Sequence, residues 1–274
     1  MRGKGLTKRK VILSGIRFQK LRVVLMVGLV SFACASCSSR TETQDVAQDK
    51  QAAAELIAQA DKLYAERADL ARTREAVSLL GRALAMDSGN YDAAWKLSRF
   101  NYFLGAHTSD TTERGRAYDK GVASGRRAVR LQDGRPEGHF WLGANLGGQA
   151  QTSMMSGLSS IDEIRAEMQR VIQLDEGFQS GSAYMALGQV DLEAPRMLGG
   201  DAKRAVEILE KNLRFGENNA LYRLRLAEAY LAVNRKEDAR RELSAIQSMT
   251  PNPDFIPEYN DALAAARKLL EQMK

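Results

Sequence analysis

Apolar positions recur along this chain at i, i+4 and i+7 in one stretch after another, the spacing of one face of an α-helix. Strand signals are scarce, and five prolines are few enough to leave long helices intact. The pattern is sharpest after Ala205, where two helix pairs superpose with a shift of 34 residues. Ala205 falls on Ala239, Leu209 on Leu243, Asn212 on Ile246 and Glu217 on Pro251. Upstream, the same reading predicts helices over 51–66, with Ala60, Leu63 and Tyr64 on one side, and over 74–86, with Ala76, Leu80 and Ala83. A second pair opens at Tyr91 and resumes near Ala117, and a third opens at Pro136 and resumes over 161–174. A fourth carries Tyr184, Leu187 and Gly188. A last helix over 257–273 would cap the open end, as stacked repeats require.

A period of 34 residues is that of the tetratricopeptide unit, a pair of antiparallel helices. Leu226, Ala227 and Tyr230 stand in its Leu-Gly…Tyr slots, and Pro251 in the place of its closing proline. The expected fold is therefore all-α, a helical-hairpin, tetratricopeptide-like solenoid of about five helix pairs plus a C-terminal capping helix. Three pairs carry extra residues, always between their first and second helices: about eleven around 106–110, about nine around 153–157, and about five including Pro195–Asp201. Such insertions are expected to project as turns from one face, often the binding face.

Composition changes the picture at the N-terminus. Eight basic residues and no acidic one precede Cys37, so the remaining 32 basic side chains face 34 acidic ones. The net charge of +6 thus argues for no nucleic-acid partner in the helical domain. The basic segment leads into an apolar run from Val23 to about Ser36, shorter than the roughly 20 residues of a membrane span. Ala35-Ser36-Cys37, followed by Ser38-Ser39-Arg40-Thr41, fits a bacterial lipoprotein signal with Cys37 as the acylated residue. Acylation at Cys34, cleavage after Ala35 and an uncleaved anchor stay open as alternatives. The expected domains are a signal peptide over 1–36, an acylated tether over 37–50 and the helical domain over 51–274. The product would be lipid-anchored in a bacterial envelope and face the periplasm, from the inner leaflet of the outer membrane or, as the alternative, from the inner membrane.

Candidate chemistry is sparse. His107 and His139 are the only histidines, and neither has cysteine or acidic neighbours at metal-ligand spacing, so no metal or other cofactor is expected. His139 is expected beside Trp141 on a packed helix, and His107 solvated in an inserted loop. No nucleophile motif stands out, and no catalytic residue is assigned. Gly199-Gly200-Asp201 before a helix suggests a phosphate site, but Asp201 reads better as the helix cap, whose charge would repel an anion. Candidates for ligand or partner binding are the aromatics Trp95, Tyr102 and Trp141 with Leu146, Met154, Met155, Leu158 and Met197. The methionines pack a core or line an apolar cavity.

Several of these blocks together resemble a known family. Trp95-Lys96-Leu97-Ser98-Arg99, Phe140-Trp141-Leu142-Gly143-Ala144-Asn145-Leu146-Gly147, Leu174-Asp175 and Pro195-Arg196-Met197-Leu198-Gly199-Gly200-Asp201 look like the TatT family. Its members are the T-component lipoproteins of TRAP (tripartite ATP-independent periplasmic) transporters. The same blocks are also similar to eukaryotic regulators of microtubule dynamics. Within the last block, Pro195, Leu198, Gly199, Gly200 and Asp201 serve as the structural signature. The resemblance implies a non-enzymatic periplasmic lipoprotein that forms homo-oligomers around a pore-like cavity. It would dock the solute-binding protein of a TRAP transporter and pass it a hydrophobic small molecule. A general repeat scaffold for envelope proteins is the alternative.

Overall fold

The computed structural model describes residues 44–152 and 154–273; over 154–158 and at 254 only the backbone is described. Cys37 and the whole signal segment lie outside the described residues. The chain divides after Ala52, and the repeat body runs from Ala53 onward.

Eleven α-helices and no strand occur among the described residues. They are α1 (44–65), α2 (Leu70–Met86), α3 (Tyr91–His107), α4 (Thr111–Leu131), α5 (Pro136–Thr152), α6 (Met154–Leu174), α7 (Ser182–Glu193), α8 (Ala202–Leu213), α9 (Ala220–Ala232), α10 (Lys236–Ser248) and α11 (Ile256–Gln272). Successive helices pack as hairpins, and α11 lies on α9 and α10, giving the helical-hairpin solenoid with its end helix. Many starts are fixed locally: Asp69, Asn90, Asp110, Asp201 and Asn219 each accept a hydrogen bond from a free N–H of the first turn.

Burial follows the 34-residue register. Ala205 and Ala239, Leu209 and Leu243, Asn212 and Ile246 are all no more than 1% exposed. The Leu-Gly slots have a steric reason: a Cβ on Gly143 would lie 2.3 Å from Met168 Cε, and one on Gly188 would lie 2.5 Å from Leu209 Cγ. Each glycine lets the second helix of its own pair approach closely.

The two larger insertions differ from expectation. Their described residues form no projecting turns. α3 and α5 have 17 residues each and α4 and α6 have 21, against 13 in both α9 and α10. One helix of each long pair is extended by about one turn and the other by about two, so the buried face stays aligned. Only three residues, Thr108 to Asp110, join α3 to α4. The third insertion alone remains a loop, around the short 3₁₀ turn Arg196–Leu198. His107 accordingly ends α3 and is not a loop side chain. Its ring stacks on Phe103 at 3.9 Å and its Nε2 meets Asp261 Oδ2 of α11 at 3.1 Å.

That contact has a companion. Arg67, in the turn after α1, is buried and donates from Nε and Nη2 to the Glu258 carboxylate of α11 at 3.1–3.2 Å. The final helix therefore reaches back to the first two pairs, across 191 residues of sequence.

Candidate binding site

The first helices of successive pairs carry an aromatic and cationic row. Tyr64 of α1 stacks on Phe100 of α3 with centroids 3.8 Å apart, and meets Phe103 edge-on at 5.7 Å. Arg99 and Tyr102 lie one turn apart on α3, so they share a face. Tyr102 is 5.7 Å from Trp141 of α5 and 6.2 Å from Tyr118 of α4. The Arg99 guanidinium sits between two rings, 4.9 Å from Tyr64 and 5.6 Å from Trp141. Burial pushes the Tyr102 phenol up; the nearby Arg225 of α9 opposes this and Glu193 of α7 adds to it. Charged groups of α7 and α9 thus lie close enough to act on the row.

Of the sequence candidates, the structure brings Tyr102 and Trp141 into contact. Trp95 is part-buried, packs against the same core cluster as Trp141, and donates its indole N–H to Asp92 at 3.0 Å. Leu146 is core, 2% exposed. Met197 stands apart on the Arg196–Leu198 turn, 89% exposed. The side chains of Met154, Met155 and Leu158 lie outside the described residues.

The Pro195–Asp201 block is a clamp. Pro195 C=O accepts from Leu198 and Gly200 N–H at 2.9 and 3.1 Å. Gly199 has φ +79°, and a Cβ on Gly200 would stand 1.8 Å from Ala194 O, so both positions demand glycine. Asp201 caps α8, and the N–H groups of Arg204 and Lys203 hold its carboxyl below its ordinary value. The centre of the clamp is Asp191, 4% exposed, which receives Arg165 of α6 and Arg204 of α8 at 2.6–2.7 Å. Both arginines also donate to Gly199 C=O, and Asp201 N–H donates to Asp191 C=O at 2.8 Å. With both guanidinium groups already engaged, this turn offers no phosphate site. Sequence reasoning missed Asp191; the signal was an acid inside an otherwise apolar stretch of α7.

His139 is also structural. Both ring nitrogens face acceptors: Nδ1 the Glu167 carboxylate at 2.6 Å, Nε2 the Asp133 carbonyl at 2.8 Å. A neutral ring could donate to only one of them. Burial works against the charged form, but the bonds to Glu167 and Asp133 outweigh it and raise the pKa. Among the described residues no group of His, Cys, Asp and Glu could hold a metal ion, and no helix is long and apolar enough to cross a membrane.

A family model described as the TRAP transporter T-component matches residues 130–274, and one described as regulator of microtubule dynamics protein 1-3 matches residues 56–189. No curated protein matches. Among solved structures, the thermophilic tetratricopeptide protein TTC0263 of Thermus thermophilus is 19% identical, with a TM-score of 0.58 over 78% of this chain and 100% of its own. PilF of Pseudomonas aeruginosa is also 19% identical, with a TM-score of 0.54 over 82% of this chain and 93% of its own. At these identities the likeness is one of fold.

Proposed function

The chain belongs to the TRAP transporter T-component family, and from that premise we propose that it is a non-enzymatic envelope lipoprotein that docks the periplasmic solute-binding protein of a TRAP transporter. In this reading Cys37 carries the lipid, the protein faces the periplasm from the inner leaflet of the outer membrane, and the domain over 51–274 supplies the docking surface and holds a hydrophobic ligand. The observation that carries the reading is the family match through residues 130–274, which include the clamp around Asp191 and the fourth and fifth helix pairs. Multiple acyl chains at Cys37 would give stable attachment.

Native extraction from membranes tests it. The protein should come down with a periplasmic solute-binding protein, with further copies of itself, and with a small molecule visible in native mass spectrometry. A monomer carrying neither partner nor small molecule would overturn the reading in favour of a general repeat scaffold. Cys37→Ser should abolish lipid labelling, and persistent labelling would refute the anchor.

A further inference from the structure

Three buried side-chain nitrogens on or facing the row have no hydrogen-bond partner among the described residues: Arg99 Nε, Trp141 Nε1 and Arg225 Nε. All three are donors. Trp141 is 8% exposed, so its orphaned N–H lies inside the body. A buried donor without an acceptor loses its hydration and gains nothing in return. The remaining orphaned atom nearby, Asn145 Oδ1, is turned elsewhere; a Cβ on Gly121 would meet it at 1.9 Å.

Arg99 differs from the other part-buried arginines, which pair with a carboxylate or, like Arg114 and Arg127, donate to a backbone carbonyl. Arg67 pairs with Glu258, Arg165 with Asp191, Arg223 with Glu242 and Arg225 with Glu228. No carboxylate among the described residues pairs with Arg99. Its guanidinium cannot shed its proton, and two ring faces and the Tyr64 hydroxyl supply only part of what a part-buried cation loses with its water. Beside it stand the Tyr102 and Trp141 rings, apolar surface with an O–H and an N–H at their edges.

We propose that this face of α3 and α5 receives a small organic anion with an apolar body, its carboxylate on Arg99 and the Trp141 N–H and its body against the Tyr102 and Trp141 rings. The charge of the occupant follows from its surroundings. Arg225 is neutralised by Glu228 and Arg67 by Glu258, which among the described residues leaves Arg99 as the unpaired cation of the row and Glu193, close enough to act on Tyr102, as an unpaired acid. With a single cation to bind and the Glu193 carboxylate opposing further negative charge, a monocarboxylate suits the site better than a phosphate ester carrying nearly two. This deepens the ligand part of the function proposed above and rests on it.

The two tryptophans give two indole N–H cross-peaks in a proton–nitrogen NMR spectrum. That of Trp95, already bonded to Asp92, is the internal control. Phenylacetate and hexanoate, each titrated beside its neutral amide, should shift the Trp141 peak saturably, with the amides at least about tenfold weaker. Arg99→Gln should weaken the acids about tenfold to a hundredfold and leave the amides unchanged. Arg99→Lys should fall between, because it keeps the charge and loses the planar fork. Equal binding of acid and amide, unchanged acid affinity in Arg99→Gln, or no saturable shift with either acid would overturn the proposal. Arg99→Gln should still co-purify with the solute-binding protein, so failure of the anion site is distinguishable from failure of the docking reading.

Discussion

Asp191→Asn is the sharpest test of why the Pro195–Asp201 block has its sequence. The substitution keeps the side chain's volume and one acceptor oxygen but removes the charge that two guanidinium groups share. Hydrogen bonds to a buried charged group contribute about 1.5–3 kcal/mol each. That scale suits Arg165, whose side chain is 19% exposed. Arg204 is 46% exposed and regains water once released, so its loss belongs on the surface scale of about 1 kcal/mol or less. The expected cost is therefore about 2–4 kcal/mol, which lowers Tm by roughly 5–10 °C in a domain of this size. Thermal unfolding followed by far-ultraviolet circular dichroism measures it. Trypsin cleavage after the exposed Arg196 should accelerate at temperatures well below Tm, because the turn loses both arginine bonds to Gly199 C=O as the side chains reorient. Asp201→Ala, which removes only the cap, should lower Tm by less than Asp191→Asn does. A Tm for Asp191→Asn within about 1 °C of the parent would refute the reasoning. So would a large drop with unchanged cleavage at Arg196, which would place the loss outside the turn.

Three further outcomes follow from contacts elsewhere. The raised pKa of His139 means that its contribution is fully present below the ordinary value of 6.5 and is lost as pH rises through the higher folded value. Tm should thus fall as pH rises above about 6.5 in the parent and stay flatter in His139→Gln, and parallel curves would exclude the imidazolium. Gly188→Ala gains up to about 1 kcal/mol of helix propensity but places a methyl against Leu209, and overpacking of about 1–3 kcal/mol should leave it destabilised. Gly147→Ala meets nothing within 4 Å and should be stabilised. Opposite signs in urea denaturation are expected, and equal signs would refute the steric reading. Glu258→Gln weakens a bond to the buried Arg67 at a cost of about 1–3 kcal/mol, and hydrogen exchange should quicken in α11 before it does in α5 and α6.

The repeat register was legible because it is local: a buried face recurs every 34 residues, and small residues mark where helices approach. What was illegible was the fate of the extra residues. A fixed template assigns any surplus to the turn, yet extension by whole turns also preserves the buried face. Phe100, Phe103, Leu104 and His107 already stood at i, i+3, i+4 and i+7, and Asp110 with Glu113 three residues on already resembled a helix-start box. Both signals favoured lengthened helices. Arg99 could not be singled out from sequence, because an arginine on an amphipathic helix normally reads as solvated. Only the tertiary arrangement shows that rings flank it and no acid meets it.

The same tertiary arrangement links the row to the return of α11. In an open stack each repeat touches only its neighbours, and its inner face stays in contact with water. Here Glu258 and Asp261 of α11 reach Arg67 and His107, beside Tyr64, whose ring in turn flanks Arg99. Closure removes water from around Arg99 and strengthens every charge interaction there, so an unpaired guanidinium costs more and a bound carboxylate contributes more. An anion on Arg99 and the Arg67–Glu258 pair should therefore support each other. Loosening α11 by Glu258→Gln should weaken phenylacetate severalfold without touching the ligand, and saturating phenylacetate should raise Tm less in that variant than in the parent. Identical affinity in the two proteins would separate closure from binding and leave the return of α11 with a purely structural part.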